Sequence, residues 1–171
     1  DNWLSENDGD LEAYAVVGSF SVRNPEHELK VANAIRQLTG KPTTLSHELS
    51  GQLDAAKRSV TALLNARLVP LVRDLILAVE TAMTRLGIQN RLMVMRGDGS
   101  LVSAEFVKSR PIETILSGPA ASAMGALALS GMTDGVIADI GGTTTDVAVI
   151  RDGRSSPQTV GAKVGGYETM V

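Results

Sequence analysis

The sequence contains no cysteine, which excludes disulfides and thiolate metal sites and fits a reducing cytoplasm, the location we expect. Aromatic residues make up only 3% of the chain, which argues against a surface that stacks on nucleic-acid bases. The formal net charge is −3, so no basic field exists to attract nucleic acid or an anionic membrane. No apolar run approaches the roughly 18 residues of a membrane-spanning helix. We therefore expect neither a nucleic-acid partner nor a membrane.

Alanine, valine, leucine and glycine are abundant, and hydrophobic residues make up 43% of the 171 residues. This composition suits a layered α/β core, and the length allows one good core or two small lobes. The chain begins with Asp1 rather than methionine and ends at Val171, soon after a Gly-Gly pair. We therefore expect it to be part of a longer protein.

The most informative stretch, residues 137–150, has an apolar run on either side of a short glycine-led segment. The β-branched and small residues of both runs favour strands, so we predict a β-hairpin. Its turn reads Gly141-Gly142-Thr143-Thr144-Thr145. Glycine lets a ligand approach the backbone closely, and successive N–H groups form a concavity for an anion. The threonine hydroxyls add further donors.

An aspartate lies at each strand end of this hairpin, Asp139 and Asp146. Neither carboxylate can face a phosphate directly without repulsion, so both are better suited to hold a hydrated Mg²⁺. An ordinary tight turn is the alternative interpretation. Two flanking acids and three consecutive hydroxyls favour a phosphate-binding hairpin for a metal-bound nucleotide.

The amino-terminal part of the chain predicts a β-α-β unit. Residues 1–12 are polar and predict a loose lead-in, and residues 13–20 predict a strand. A helix follows, which Asn24 caps and Gly40 ends, with Glu26 and Glu28 in the first turn where the helix dipole favours acids. An extended segment over residues 43–46 completes the unit, so its strands should be parallel with a right-handed crossover.

His47 lies where this extended segment meets the next helix, near the carboxyl edge expected for the sheet. That position and its titration near neutrality make it a candidate catalytic residue. The alternative is a residue without a chemical role, as we expect for His27 on a helix surface. Glu48 equally fits an acid at a helix start.

A helical pattern runs from about Leu53 to Leu86, where Gly87 ends it. Its apolar residues keep one face, which we expect to be core: Val60, Leu63, Leu64, Leu68, Leu71, Leu75, Val79, Ala82, Met83 and Leu86. Pro70 predicts a kink or two abutting helices. Residues 91–95 then predict a short buried strand, and 96–100 a turn at its carboxyl end.

Residues 117–129 predict a helix that Ser117 or Gly118 caps and Pro119 begins. Its first turns carry only small residues. A helix amino terminus can bind an anion, so Ser117 and Gly118 are candidate ligand-binding residues. Tight packing of helix on sheet requires small residues equally, and the residues alone leave the two interpretations open.

A third strand is predicted over residues 155–164. Three successive antiparallel strands with a phosphate hairpin between the first two indicate part of a ribonuclease-H-like nucleotide-binding lobe. We therefore divide the chain into the lead-in 1–12, an α/β segment with long helices over 13–131, and the start of a second lobe over 132–171.

The residues that carry these features resemble motifs of the hydantoinase/oxoprolinase A-subunit family, a branch of the actin-like ATPase superfamily. The matching segments are Asp139-Ile-Gly-Gly-Thr-Thr-Thr-Asp146, Leu116-Ser-Gly-Pro-Ala-Ala121, Ser21-Val-Arg-Asn-Pro-Glu-His-Glu28, Ser46-His-Glu-Leu-Ser50 and Leu64-Asn-Ala66 with Pro70. The chain departs from the family pattern at residues 96–99 and at Ser122, where the family has glycine.

The resemblance implies an actin-like ATPase fold and ATP-dependent opening of cyclic amides such as 5-oxoproline or N-methylhydantoin, with a B-type hydantoinase subunit or domain as partner. ATP would phosphorylate the amide oxygen, and water would attack the activated carbon. Residues 141–145 would hold the ATP phosphates, and Asp139 and Asp146 would position Mg²⁺ or the attacking water. The family's other phosphate hairpin and its adenine-binding turn are not in this sequence, so we expect the isolated residues to bind ATP weakly or not at all.

Two other interpretations remain open at the level of the sequence. One is different ATP-driven chemistry, as in an acetone-carboxylase-type β subunit or an actin-like kinase. The other is a nucleotide-binding regulator that has kept the fold without the activity.

Overall fold

The computed structural model describes residues 4, 6, 8–155 and 161–170. Its helices are α1 (Glu26–Thr39), α2 (Ser46–Leu49), α3 (Ala55–Arg85), α4 (Ala104–Ser109) and α5 (Ser117–Ser130), with a 3₁₀ turn at Pro111–Thr114. Its strands are β1 (Tyr14–Val16), β2 (Thr43–Leu45), β3 (Met93–Met95), β4 (Leu101–Ser103), β5 (Gly135–Ile140), β6 (Thr145–Arg151), β7 (Arg154–Ser155), β8 (Lys163–Val164) and β9 (Tyr167–Glu168). The chain is therefore of the α/β class, with helices and strands interspersed up to α5 and five successive strands after it.

The described residues form two compact units. The first comprises those in the ranges 1–89, 108–112 and 160–171, and the second those in 90–107 and 113–159. The domain boundary that we placed between residues 131 and 132 stays a prediction. Among the described residues, every helix falls short of the length or the apolarity that crossing a bilayer requires.

The first unit contains the predicted β-α-β arrangement. β1 and β2 pair in parallel, with Tyr14 opposite Thr43 and Val16 opposite Leu45. The side chain of Asn24 accepts a hydrogen bond from the Glu26 amide at 3.0 Å, and Gly40 ends α1 with a φ of +69°. The end at Gly40 is therefore confirmed, whereas Pro25 rather than Asn24 immediately precedes α1 and no side-chain cap is made there. β1 is shorter than predicted, because the chain turns at residues 18–23 and does not continue as a strand.

Helix α3 is continuous through Pro70, so the alternative of two abutting helices is wrong. Its predicted core face is wrong at Leu63, Leu71 and Leu75, which are 64%, 66% and 60% exposed. Other residues of that face, such as Leu64 and Leu68, are half-buried. The buried face carries smaller and polar residues: Arg58, Thr61, Ala62, Asn65, Ala66, Val69 and Ile76. Small side chains let the helix approach β1 and β2 closely.

Asn65 explains why a polar residue lies on that buried face. Its amide nitrogen donates to the Thr44 hydroxyl and to the Ser109 carbonyl, both at 3.0 Å. Its side-chain oxygen accepts from the Ile112 amide at 3.1 Å. These bonds satisfy a fully buried amide and tie α3 to β2 and to residues 109–112.

The second unit begins with an antiparallel hairpin, in which Met93 lies opposite Ser103 and Met95 opposite Leu101. Met93 is 45% exposed, so the prediction of a buried strand is wrong at that residue. β5, β6 and β7 form a three-stranded antiparallel sheet, and α5 packs against β5.

The third strand predicted over residues 155–164 differs from the observed one. Residues 154–155 pair with β6 as the short strand β7, and residues 156–160 lie outside the described part of the chain. Lys163 and Val164 pair instead with Glu168 and Tyr167. The positive φ angles of Gly165 and Gly166 allow the tight turn that joins β8 to β9.

Candidate functional site

The predicted hairpin at residues 135–151 is present, with β5 and β6 antiparallel and Asp139 directly opposite Asp146. Ile140 lies opposite Thr145, and the Gly141 amide donates to the Thr144 carbonyl at 2.9 Å to close the turn. The structure therefore brings the two candidate metal ligands together at the end of the sheet, directly below the Gly-Gly-Thr turn.

The two faces of this hairpin differ. Directly opposed residues share a face, so both aspartates lie on the same side as Ile150, which is 1% exposed. The other face carries exposed apolar residues: Val136, Ile140, Val147 and Val149. Asp139 is half-buried, whereas Asp146 is exposed. Asp139 and Asp146 thus lie at the turn end of the sheet face that also carries the buried Ile150.

Two carboxylates in direct cross-strand register repel each other. A bound cation would turn that repulsion into attraction, and Mg²⁺ is commonly held by one or two carboxylates together with water and substrate phosphates. The described residues contain no group of three or more acidic or histidine side chains that could hold a metal by themselves. The pair therefore fits a hydrated magnesium nucleotide better than a closed protein metal site.

The tip of the hairpin is open. Residues 141–144 are exposed, and a Cβ built on Gly142 would have no heavy atom within 4 Å. Neither Gly141 nor Gly142 has a positive φ, so the backbone conformation does not require glycine at either position. Glycine there leaves main-chain N–H groups accessible to an approaching ligand.

The start of α5 differs from the predicted start. The helix begins at Ser117, two residues before Pro119, and Leu116 precedes it with a φ of +66° and no side-chain cap. Neither Ser117 nor Gly118 is thus the cap that we predicted; both belong to the first turn. Their N–H groups are among those that a helix leaves without an intrahelical acceptor. Gly118 is exposed with open space around it, and Ser117 is half-buried.

The turn at residues 96–100 is held by contacts within the chain. It joins two antiparallel strands, so the rule that places ligands at the carboxyl ends of parallel strands does not apply. Arg96 pairs with Asp98 at 3.1 Å and with Glu113 at 2.6 Å. A Cβ on Gly97 would lie 2.4 Å from the Ile115 carbonyl oxygen. These contacts explain why this sequence has Arg-Gly-Asp-Gly in the turn.

The first unit contains a buried carboxylate that our sequence interpretation did not identify. We expected Glu28 to be an acid of the helix's first turn, but the structure buries it to 1% exposure. One oxygen, Oε1, accepts from the Gly18 amide at 2.7 Å and lies 2.5 Å from the Ser21 and 2.6 Å from the Ser46 hydroxyl oxygens. The other, Oε2, lies 3.2 Å from the His47 amide nitrogen and 2.6 Å from its Nδ1.

These hydrogen bonds determine the charge of Glu28. Burial by itself would raise the pKa of this carboxyl, but the bonds from Ser21, Ser46, His47 and the Gly18 amide outweigh burial and lower the pKa to about 2. The carboxylate therefore stays ionised at neutral pH.

Arg58 completes the cluster. It is 1% exposed and donates to the carbonyls of Gly18 (2.7 Å), Ser19 (3.0 Å) and Gln52 (2.6 Å). Its Nε also donates to the Ser46 hydroxyl at 3.3 Å. All three nitrogens of the guanidinium thus donate within the chain, and the Ser46 hydroxyl links Arg58 to Glu28.

His47 is held by this cluster with its side chain 17% exposed. It belongs to the first unit, whereas the hairpin residues, Ser117 and Gly118 belong to the second. A periodicity signal for the cluster does exist in the sequence. Glu28, Ala32 and Ile35 are spaced i, i+4, i+7 and are the buried residues of α1.

Together these observations define an α/β protein with an open Gly-Gly-Thr hairpin above an acidic pair and a separate buried carboxylate–histidine cluster. The family model for hydantoinase/oxoprolinase matches residues 58–171, and the chain belongs to this family.

Individual relatives agree with this assignment. The chain is 27% identical over 150 residues to caprolactamase subunit alpha of Pseudomonas jessenii, covering 85% of this chain and 22% of that protein. It is 27% identical over 148 residues to 5-oxoprolinase of Saccharomyces cerevisiae, covering 84% and 11%. It is 29% identical over 152 residues to the acetophenone carboxylase gamma subunit of Aromatoleum aromaticum, covering 82% and 20%.

Solved structures give the same result. The ATP-dependent caprolactamase from Pseudomonas jessenii superposes with a TM-score of 0.75 at 26% identity, covering 86% of this chain and 22% of that one. Nucleotide-free acetone carboxylase superposes with a TM-score of 0.69 at 26% identity, covering 91% and 22%. The chain thus spans about a fifth or less of the length of these relatives.

Proposed function

We propose that the chain is part of an ATP-dependent enzyme that opens a cyclic amide, with an actin-like ATPase fold in which residues 132–171 begin the second lobe. The observation that carries the proposal is the opposed pair Asp139 and Asp146 at the base of an exposed Gly-Gly-Thr hairpin. Family membership and the similarity to an ATP-dependent caprolactamase and a 5-oxoprolinase support it.

In this proposal the hairpin residues Gly142, Thr143, Thr144 and Thr145 bind the phosphates of ATP through main-chain N–H groups and hydroxyls. Gly141, whose own N–H closes the turn, lets the phosphates approach the backbone closely. Asp139 and Asp146 would hold Mg²⁺ and orient the attacking water. Bound there, Mg²⁺ would neutralise phosphate charge.

Ser117 and Gly118 contribute a second set of donors. α5 has 14 residues and β5 has 6, so each spans about 20 Å. Because α5 packs against β5 and residues 131–134 alone connect them, we infer that the helix runs back along the strand. The start of α5 and the hairpin tip would then face the same phosphates.

The chemistry needs three steps. The amide oxygen attacks the γ-phosphorus, the bond to the β-γ bridging oxygen breaks, and ADP leaves. Water then attacks the activated ring carbon and transfers a proton to a base, for which we propose Nε2 of His47; the carbon–nitrogen bond breaks, and the departing nitrogen takes up a proton. A second water hydrolyses the resulting acyl phosphate to the free carboxylate and inorganic phosphate.

Other parts of the enzyme complete this proposal. The relatives include an alpha and a gamma subunit, so we propose a partner subunit, with a B-type hydantoinase subunit or domain as the specific expectation. A cytoplasmic location stays a prediction.

The experiment is an assay of the full-length protein with its partner on 5-oxoproline, hydantoins and caprolactam-type lactams, with and without ATP. We expect ring opening and phosphate release that both require ATP, and loss of at least about 10²-fold of this activity in Asp139→Asn and Asp146→Asn. Unchanged ATP hydrolysis in both variants would remove the role we give these acids.

A carboxylase is the second candidate, because the chain is similar to an acetophenone carboxylase subunit and to acetone carboxylase. The same protein incubated with ketones, bicarbonate and ATP separates the two. Ketone-dependent fixation of labelled bicarbonate without cyclic-amide opening would favour it over our proposal, and nucleotide binding without either turnover would indicate a regulator.

A further inference from the structure

We propose that Glu28 is the positioning residue for His47: it fixes the imidazole as the Nδ1–H tautomer, so that Nε2 presents a lone pair to accept a proton. This inference deepens the proposed function and rests on it, because His47 is there the base that accepts a proton from water.

The first step is that Glu28 has no proton to donate. The Gly18 and His47 amides can only donate, and each lies on a different carboxylate oxygen, at 2.7 and 3.2 Å. The Ser46 hydroxyl accepts from Arg58 Nε at 3.3 Å, so its own proton points to Glu28 Oε1 at 2.6 Å. Both carboxylate oxygens therefore face donors, an arrangement that favours the ionised form.

The second step concerns the imidazole. His47 Nδ1 lies 2.6 Å from Glu28 Oε2, and two atoms this close need one proton between them. Because Glu28 has none, Nδ1 must carry it. In the neutral ring Nε2 is then the unprotonated nitrogen.

The third step is that the ring cannot easily turn. The backbone amide and Nδ1 of His47 both bond the same carboxylate oxygen, and the carboxylate itself is buried to 1% exposure. A ring flip would leave this buried charge without one of its donors. The side chain is still 17% exposed, so part of it is accessible from solvent.

The fourth step is the charge balance. The charged groups that face His47 through this cluster are Glu28 on α1 and, beyond the Ser46 hydroxyl, Arg58 on α3. The loop after β1 supplies Ser21 and the neutral Gly18 and Ser19 main chain. Arg58 offsets the charge of Glu28, so the carboxylate can stay ionised without taking the proton of His47.

The test uses the full-length protein with its partner, as wild type and as the variants Glu28→Gln, Glu28→Asp and His47→Gln. Glu26→Gln is the matched control, because Glu26 lies on the same helix but is exposed and pairs with Lys30 at 2.6 Å. Selective ¹⁵N-histidine labelling, with the His47 signals assigned by their absence in His47→Gln, reports the tautomer. The pH profile of kcat/KM reports the effect on the reaction.

We expect the Nδ1–H tautomer in the wild type and in Glu26→Gln, and a tautomer mixture in Glu28→Gln. We expect kcat in Glu28→Gln to fall about 10- to 100-fold with KM for ATP unchanged. Its pH profile of kcat/KM should differ from that of the wild type, because the Nδ1–H of His47 no longer donates to a carboxylate. Glu28→Asp should recover part of the rate.

The inference is overturned if wild-type His47 is the Nε2–H tautomer or a mixture, or if folded Glu28→Gln keeps both the tautomer and the pH profile. If Glu28→Gln does not fold, the tautomer of His47 in the wild type and the rate of Glu28→Asp test the inference instead. Normal turnover in His47→Gln would overturn it while the ATP-dependent activity stands. If the wild type opens no cyclic amide, the proposed function fails, and the tautomer still decides whether Glu28 orients the ring.

Discussion

The hairpin of the second unit and the Glu28 cluster of the first contrast in how their polar groups are satisfied. At the hairpin tip, Gly142 has open space around it and two carboxylates lie opposed across the strands. In the cluster, a buried carboxylate and a buried guanidinium both make several hydrogen bonds within the chain. In our proposal a ligand makes the first arrangement favourable, whereas the second is held by the chain's own groups and preorganises a single side chain.

The largest expected effect is on stability, and it tests whether the Glu28 cluster depends on Arg58. Replacing Arg58 by methionine should lower the free energy of unfolding by about 3–5 kcal/mol, because Glu28 would keep a buried charge without its counter-charge. Urea unfolding followed by circular dichroism measures this. Arg67→Met is the control, since Arg67 is exposed on the same helix and should change stability by no more than about 0.5 kcal/mol. Equal effects of the two variants would mean that Arg58 is not balancing a buried charge.

The contrast also explains what could be predicted from the sequence. The αL residue Gly40 and the hairpin over 135–151 were predicted correctly, because each depends on neighbouring residues or on a pattern of period two. The parallel pairing of β1 with β2 was also predicted correctly, because it follows from the order strand, helix, strand.

The buried face of α3 could not be predicted in the same way. Its leucines at 63, 71 and 75 gave a clear apolar stripe, but the face that packs in this chain contains Ala62, Asn65 and Ala66. Periodicity shows that a helix has an apolar face. It does not show which of two adjacent faces another element of the fold covers. The polar partners of Asn65 come from residues 44, 109 and 112, which no local pattern connects.

The next effect concerns acid and belongs to the cluster. The pKa of Glu28 is about 2 in the folded chain, against an ordinary value of 4.5. Between these values the unfolded chain binds more protons, so stability falls as the pH drops from about 4.5 towards 2. The contribution of Glu28 above that window is of the order of 3 kcal/mol.

Acid titration of the unfolding free energy checks this contribution. The slope between pH 4.5 and 2 should be shallower in Glu28→Gln than in Glu26→Gln, whose acid is exposed on the same helix. Identical slopes in the two variants would show that Glu28 is not strongly hydrogen-bonded when folded.

A smaller effect tests the open hairpin. Gly142→Ala should leave the free energy of unfolding within about 0.5 kcal/mol, because the φ of Gly142 is not positive and its Cβ would meet open space. The added methyl should nevertheless obstruct close approach of a phosphate, and we expect roughly a tenfold rise in the KM for ATP. Steady-state kinetics of the full-length protein measure it. A plain turn predicts no change in either quantity, so an unaltered KM would favour that interpretation.

The smallest expected effect tests whether the pair Asp139 and Asp146 binds a cation or is only an unfavourable contact between like charges. Without metal, Asp146→Asn should raise the free energy of unfolding by about 0.2–1 kcal/mol, because it removes a like-charge contact across the strands. With Mg²⁺ and ATP the sign should reverse, since the wild type would then gain binding energy that the variant lacks. Asp134→Asn is the control, as Asp134 is an exposed acid just before β5 and has no cross-strand acid opposite it. If Asp146→Asn is stabilising under both conditions, the carboxylates repel each other without holding a metal, and the phosphate-binding role of the hairpin loses its main physical support.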